Sequence, residues 1–223
     1  MTLMELDTKC LHAGYTPKNG EPRQIPIVQS TTFRYDTSED MGRLFDLEAS
    51  GYFYSRLQNP TREHLEKTVA SLENGIDALA FSSGMAAITV MMELFKPGDH
   101  LIVDADLYGG SIRLFNHVSE KNGIEFSSVD CHKKNVAAYI RENTKAVYIE
   151  TPTNPMMNVT DIKALAEITK KHNILLIVDN TFLSPYFQNP LNLGADIVVH
   201  SGTKYLGGHN DTLAGFLVTN RED

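Results

Sequence analysis

The chain of 223 residues is 42% hydrophobic and 22% charged, ordinary proportions for a globular protein and length enough for one well-packed core. Its net charge of −8, with no basic block, excludes nucleic acid and an anionic membrane surface as main partners. No stretch approaches the ~20 apolar residues of a spanning helix, Met1–Asp7 is acidic and lacks the apolar core of a signal peptide, and Cys10 and Cys131 stand far apart without metal-ligand spacing. A cytoplasmic protein with two reduced thiols is expected.

Residues 1 to about 55 carry few periodic signals, scattered prolines (Pro17, Pro22, Pro26) and the extended stretch Gln29–Phe33, and read as an arm. From about residue 60 helices and strands alternate. Asn59-Pro60 suits an N-cap and first helical position, Leu65, Val69 and Leu72 mark one helical face, and Gly75 suits the exit. The strand Ala78–Phe81, an apolar helix from Gly84 to Phe95 and the strand Leu101–Val103 follow. Next come a helix near Ser111 to Lys121, the strand Ile124–Val129, a helix near Asn135 to Glu142 and the strand Ala146–Ile149. Thr160 is expected to cap a helix whose Ile162, Leu165 and Ile168 recur at helical spacing, with Lys170 and Lys171 at its negative end. The apolar run Ile174–Val178 ends in Asp179 and reads as a central parallel strand, and an apolar strand, Leu213–Val218, closes the series. Repeated βα units of this kind predict an α/β fold, a mostly parallel sheet with helices on both faces in three layers.

Lys204 lies among small hydroxyl residues in Ser201-Gly202-Thr203-Lys204, just past a strand that reads as buried. Desolvation would penalise its charged form and leave a usable amine, as a Schiff-base lysine requires, although a strand-end lysine taken alone is more often a solvated terminus. Asp179, one crossover and one strand upstream, would reach the same cleft outside the carboxyl ends of the strands. Ser82-Ser83-Gly84-Met85 hands a strand over to a helix, where free amides attract an anion, or where glycine serves only a tight turn. Tyr108 precedes two glycines, so its ring can lie flat against another flat group, and Asn154 sits in a turn before a proline. No third ligand joins His200 and His209, which read as structural rather than metal-binding. The alternation alone permits a nucleotide-binding domain, but no Gly-x-Gly-x-x-Gly follows the first strand and no Gly-Lys-Ser/Thr loop exists.

The segments Tyr54-Ser55-Arg56, Ser82–Ala87, Tyr108-Gly109-Gly110, Glu150-Thr151-Pro152-Thr153-Asn154-Pro155, Asp179-Asn180-Thr181-Phe182 and Ser201–His209 together resemble, in order, the motifs of the pyridoxal 5′-phosphate (PLP) enzymes of cysteine and methionine metabolism. That family includes cystathionine γ-synthases, cystathionine lyases, methionine γ-lyases and O-acylhomoserine sulfhydrylases, all of PLP fold-type I. The resemblance implies PLP as cofactor, carried on Lys204 as a Schiff base, with Asp179 against the pyridine nitrogen and Tyr108 stacked on the ring and exchanging protons. It assigns the Gly84 and Met85 amides, Ser201 and Thr203 to the phosphate, joined by Tyr54 and Arg56 from a partner subunit. It places Asn154 near the phenolic oxygen and the substrate carboxylate, and gives Thr181 a role supporting Asp179 or the ring.

The implied activity is cystathionine γ-synthase-like, γ-replacement or γ-elimination on O-acylhomoserine or cystathionine, in trans-sulfuration and methionine biosynthesis. Cystathionine β-lyase, methionine γ-lyase and O-acylhomoserine sulfhydrylase chemistry are the alternatives. Glycine after Tyr108, where methionine γ-lyases commonly carry cysteine, disfavours that member. The implied organisation is an inter-subunit arm over residues 1–55, a PLP-binding large domain over 56–223, and a homodimer or homotetramer. Family members are longer, so the C-terminal small domain is expected to be absent, and a catalytically silent PLP-binding fragment stays open as a reading.

Overall fold

The computed structural model describes residues 5–133 and 135–223. Residues 1–4, on which the readings of the N-terminus and the start of the arm partly fall, lie outside the described residues, as does Lys134. The chain divides into two compact units, Met1–Val69 and Ala70–Asp223.

The first unit is not extended throughout. It contains helix α1 (Leu6–His12), helix α2 (Ser38–Phe45) and the greater part of α3 (Pro60–Glu73). Helices α1 and α2 each span about two turns, and the apolar stripe of α2, Met41, Leu44 and Phe45, is too short to stand out among the prolines of this region, which is why the sequence reads as an arm. The Thr37 hydroxyl caps α2 by accepting from the Asp40 amide at 3.1 Å, and Asn59 Oδ1 accepts from the Thr61 amide at 2.9 Å at the start of α3. The Thr68 hydroxyl donates to the Ala13 carbonyl at 2.8 Å, tying the exit of α1 to α3. Along α3, Val69 is buried while Leu65 is exposed, so the apolar face is narrower than the spacing suggests. The left-handed residue ending α3 is Asn74, with φ 58°, rather than Gly75.

The second unit is built on a seven-stranded sheet: β1 (Asp77–Phe81), β2 (His100–Asp104), β3 (Glu125–Val129), β4 (Thr144–Glu150), β5 (Leu175–Asp179), β6 (Ile197–Ser201) and β7 (Gly215–Thr219). Their spatial order is β1-β7-β6-β5-β4-β2-β3. Strands β3, β2, β4, β5 and β6 run parallel, and β7 runs antiparallel to both β1 and β6. Strands β4 and β5 read as near-continuous apolar runs because both faces of a parallel sheet are covered.

One face packs Leu101, Tyr148, Ile177 and Val199 against Ile88 and Met91 of α4 (Gly84–Met91) and against Phe115. Phe115 meets Tyr148 edge-on at 5.4 Å and stacks on Phe126 at 5.2 Å. Leu176 and Val178 of β5 alternate to the other face, and β5 also packs against α6 (Ile162–His172), which buries Ile162, Leu165 and Ala166.

Three local expectations are corrected. Asp161, not Thr160, caps α6: its Oδ1 accepts from the Ala164 amide at 3.0 Å, whereas the buried Thr160 hydroxyl has no partner among the described residues. The helix expected near Asn135 to Glu142 is a single 3₁₀ segment over Val136–Tyr139, since only Val136 of these four is buried to hold it. Helix α5 (Gly109–Leu114) gives way to a π-helical stretch over Phe115–Ser119.

Candidate active site

Parallel strands deliver their last residues to one edge of the sheet, and three such residues, Glu150 of β4, Asp179 of β5 and Ser201 of β6, line a cleft of about 630 Å³. Gly84, Met85, Tyr108, Asn154, Thr181, Thr203 and Lys204 also line it, so every candidate of the second unit is brought together there. Tyr54 and Arg56 belong to the first unit. There the Arg56 guanidinium lies 5.4 Å from the centre of the Tyr54 ring, and Tyr54 forms an antiparallel bridge with Thr32.

One end of the cleft is formed by the start of α4. Ser83 caps α4 through its hydroxyl, which accepts from the Ala86 amide at 3.1 Å, and its carbonyl accepts from the Ala87 amide at 3.1 Å. The amides of Gly84 and Met85 thus remain without a partner among the described residues, as a helix start leaves them. Glycine is required at position 84 because a Cβ there would stand 2.7 Å from Ser201 Cβ and 2.9 Å from Ser201 Cα.

Asp179 is 7% exposed. Its Oδ1 accepts from the Thr181 amide at 3.0 Å and the Thr181 hydroxyl at 2.6 Å, and its Oδ2 accepts from the Tyr148 hydroxyl at 3.3 Å. The Thr181 oxygen in turn accepts from the Ser201 amide at 2.8 Å, joining the ends of β5 and β6. Burial raises the Asp179 carboxyl above the usual aspartate range, with the Thr181 bonds opposing. No salt bridge reaches it among the described residues, so it is a buried acid in want of a cation.

Tyr108 opens α5 and is 49% exposed. Gly110 leaves no room for a Cβ beside its ring, which explains the second glycine of the pair. Lys204 is exposed, which corrects the expectation of a desolvated amine. It stands three residues beyond β6, on a turn held by the Gly207 amide to the Gly202 carbonyl at 2.8 Å and the Gly208 amide to the Lys204 carbonyl at 2.8 Å. Residues 207–213 of that rim are themselves exposed, so nothing in this unit shields the amine from water. The Thr203 hydroxyl lies 3.3 Å from the Ala214 amide and 3.4 Å from the Ala214 carbonyl.

Three functional neighbours escape a reading of the sequence. Tyr148 is fully buried, and burial with Asp179 and Glu150 nearby pushes its hydroxyl well above the ordinary tyrosine range. Glu150 Oε2 accepts from the Tyr108 amide at 2.8 Å and Oε1 from the Asn154 amide at 3.2 Å, while burial, then Asp179, pushes its carboxyl up to about 7. Glu73, wholly buried, accepts from His200 Nε2 at 2.6 Å and Asn180 Nδ2 at 2.7 Å, bracing the residues next to Ser201 and Asp179 from behind. The available signal for Glu73 was its place four residues after Val69, on the buried side of α3.

A sequence profile of the family described as Cys/Met metabolism PLP-dependent enzyme matches residues 7–223. A cystathionine gamma-synthase/O-acetylhomoserine (thiol)-lyase of Bacillus subtilis is 53% identical over 202 residues, covering 88% of this chain and 51% of that protein. A cystathionine beta-lyase of Lactococcus lactis is 44% identical over 223 residues, covering 99% of this chain and 57% of its own. A crystal structure of cystathionine gamma-lyase from Lactobacillus plantarum complexed with L-serine superimposes with TM-score 0.91 at 43% identity, covering 98% of this chain and 55% of that one. The chain spans about half the length of the curated relatives it matches.

Proposed function

We propose, since the chain belongs to the family of PLP-dependent enzymes of cysteine and methionine metabolism, that it acts on sulfur amino acids through PLP held at Lys204, in the manner of a cystathionine γ-synthase. The observation that carries this reading is the meeting of Lys204, Asp179, Tyr108 and the Gly84 and Met85 amides in one cleft.

The donor set fits the cofactor. Two free amides at a helix start suit a phosphate dianion, a primary amine suits an aldehyde, and a half-exposed phenol ring suits the face of a pyridine. Asp179 fits best: burial raises its carboxyl, and it would regain its charged form beside a cationic ring nitrogen, which it would hold protonated. PLP bound there supplies an electron sink for the charge left at the substrate α-carbon.

The chain's own residues do the rest. Lys204 moves the α proton, and for γ chemistry a β proton as well. Asp179, fixed by Thr181 and Tyr148, keeps the ring nitrogen protonated, and Tyr108 holds the ring and hands a proton to the leaving group. Ser201 and Thr203 donate to the phosphate, and Asn154 orients the substrate carboxylate. Residues 1–55 form an arm to a second subunit, whose own Tyr54 and Arg56 positions serve this phosphate in exchange, in a cytoplasmic homodimer or homotetramer. Residues 56–223 form the PLP-binding domain.

Purified protein incubated with PLP should develop a visible absorbance band that the Lys204→Ala variant lacks, with borohydride fixing the cofactor to the peptide containing Lys204. No band in the wild type, or an equal band in Lys204→Ala, refutes the reading. Products then name the reaction: cystathionine split to cysteine and 2-oxobutyrate reports γ-elimination, to homocysteine and pyruvate β-elimination. Cystathionine formed from an O-acylhomoserine and cysteine reports γ-replacement.

A further inference from the structure

Two loops frame one side of the cleft. The first follows β2 and carries Tyr108; the second follows β4 and carries Asn154. Strands β2 and β4 are parallel neighbours, with Val103 beside Tyr148, so their following loops emerge side by side. Glu150 is the last residue of β4 and reaches into the cleft between them. Its two oxygens are divided between the loops: Oε2 takes the backbone amide of Tyr108 at 2.8 Å, and Oε1 that of Asn154 at 3.2 Å.

We propose that Glu150 is a positioning residue, a carboxylate bracket that sets where Tyr108 and Asn154 stand relative to each other and to the cleft. The proposal rests on the reading that these two residues face PLP, but the bracket itself is a property of the chain alone. It grips main chain rather than side chain, so it fixes the loops whatever rotamers their side chains adopt. A second tie joins the same loops farther from the cleft: Asp106 Oδ2 accepts from the Thr153 hydroxyl at 2.5 Å and from Asn158 Nδ2 at 2.8 Å. That tie holds the loops together without touching Tyr108 or Asn154, whereas Glu150 touches both.

The chemistry dictates which side chain can do this. Both partners are N–H donors, so the bracket needs two acceptor oxygens on one planar group, which a carboxyl group offers and a side-chain amide does not. Glutamine matches glutamate in size but turns one acceptor into a donor, which would face an amide N–H. Glu150→Gln therefore keeps at most one contact without opening a cavity. Aspartate keeps both acceptors but is one methylene shorter and cannot reach both loops from the same strand end.

The test is hydrogen exchange by mass spectrometry on cofactor-free wild type, Glu150→Gln and Glu150→Asp. Both variants should speed exchange in peptides covering residues 105–110 and 151–157 by roughly tenfold, the worth of one charge-assisted hydrogen bond. Exchange in Val147–Ile149 and Leu176–Val178 should not change. Unchanged exchange in either loop, or acceleration spread evenly through the sheet in both variants, overturns the proposal.

A PLP titration on the same proteins separates the bracket from the cofactor reading. Glu150→Gln should keep the band at Lys204 but weaken PLP roughly tenfold. That loss should largely vanish when measured in a Tyr108→Ala background, because the bracket acts through that residue. A wild type that takes up no PLP while the loops respond as expected refutes the cofactor reading and leaves the bracket standing. Losses that add fully with Tyr108→Ala overturn a bracket acting through the tyrosine.

Discussion

Glu150 and Asp179 are register partners at the ends of adjacent parallel strands, two carboxyl groups side by side at the floor of one cleft. Glu150 rises from 4.5 to about 7 on folding, by burial first and then by Asp179. Between those values the folded chain holds a proton that the unfolded chain releases, so this group favours folding at acidic pH and its contribution is lost as pH rises through about 7. Unfolding free energies from urea titrations at pH 5 to pH 8 should fall in the wild type relative to Glu150→Gln, by at most about 3 kcal/mol for this single group. Parallel profiles for the two proteins would show that Glu150 keeps its ordinary acidity.

Behind the cleft, Glu73 should carry more stability than any surface carboxylate. Removing it in Glu73→Ala leaves His200 Nε2 without its acceptor and Asn180 Nδ2 with the Gln188 carbonyl alone, and should cost about 2–4 kcal/mol in urea unfolding. Glu73→Gln retains an acceptor oxygen and should cost about 1–2 kcal/mol. Equal losses in the two variants would mean that volume, not hydrogen bonding, is what the site needs.

The corrected cap of α6 separates two neighbouring residues. Asp161→Ala should lower stability by about 1 kcal/mol, since the Ala164 amide loses its acceptor. Thr160→Val should be close to neutral or slightly stabilising, because the hydroxyl it removes is buried without a partner among the described residues. Thermal unfolding of both variants decides it; a larger loss at position 160 would restore that residue as the cap.

Gly84→Ala should wedge the start of α4 away from β6, where the new methyl would meet both Cα and Cβ of Ser201. A destabilisation of roughly 1–3 kcal/mol is expected. Weaker uptake of inorganic phosphate or PLP should accompany it, because the displaced backbone carries the two free amides. A variant with unchanged melting temperature and unchanged ligand uptake would show that the corner has slack.

What the sequence disclosed followed from how local each signal was. The run ending in Asp179 was legible because a strand covered on both faces must be apolar along its whole length, and a carboxylate at its end needs a reason. Gly84 was legible as a strand-to-helix corner. Glu73 was not, because a glutamate on a helix ordinarily faces water, and its spacing from Val69 carries little weight without the distant His200 and Asn180 that hold it. Glu150 stood in plain view within a motif, yet its grip on two backbones depends on β2 lying beside β4, a fact of topology. The exposure of Lys204 was equally hidden, since burial of a strand says nothing about the turn that leaves it.

Strand β7 lies between β1 and β6, pairing Asp77 with Thr219 on one side and Ile197 with Thr219 on the other. As the polypeptide emerges from the ribosome, β1 is made early and then waits through five further strands before its sheet neighbour, β7, exists. The growing protein must therefore carry an unpaired strand at one margin and the open margin of β6 at the other until Gly215–Thr219 is synthesised. Assembly of this sheet is a late, long-range event, and substitutions in that last strand should act on yield and aggregation during expression before they act on chemistry.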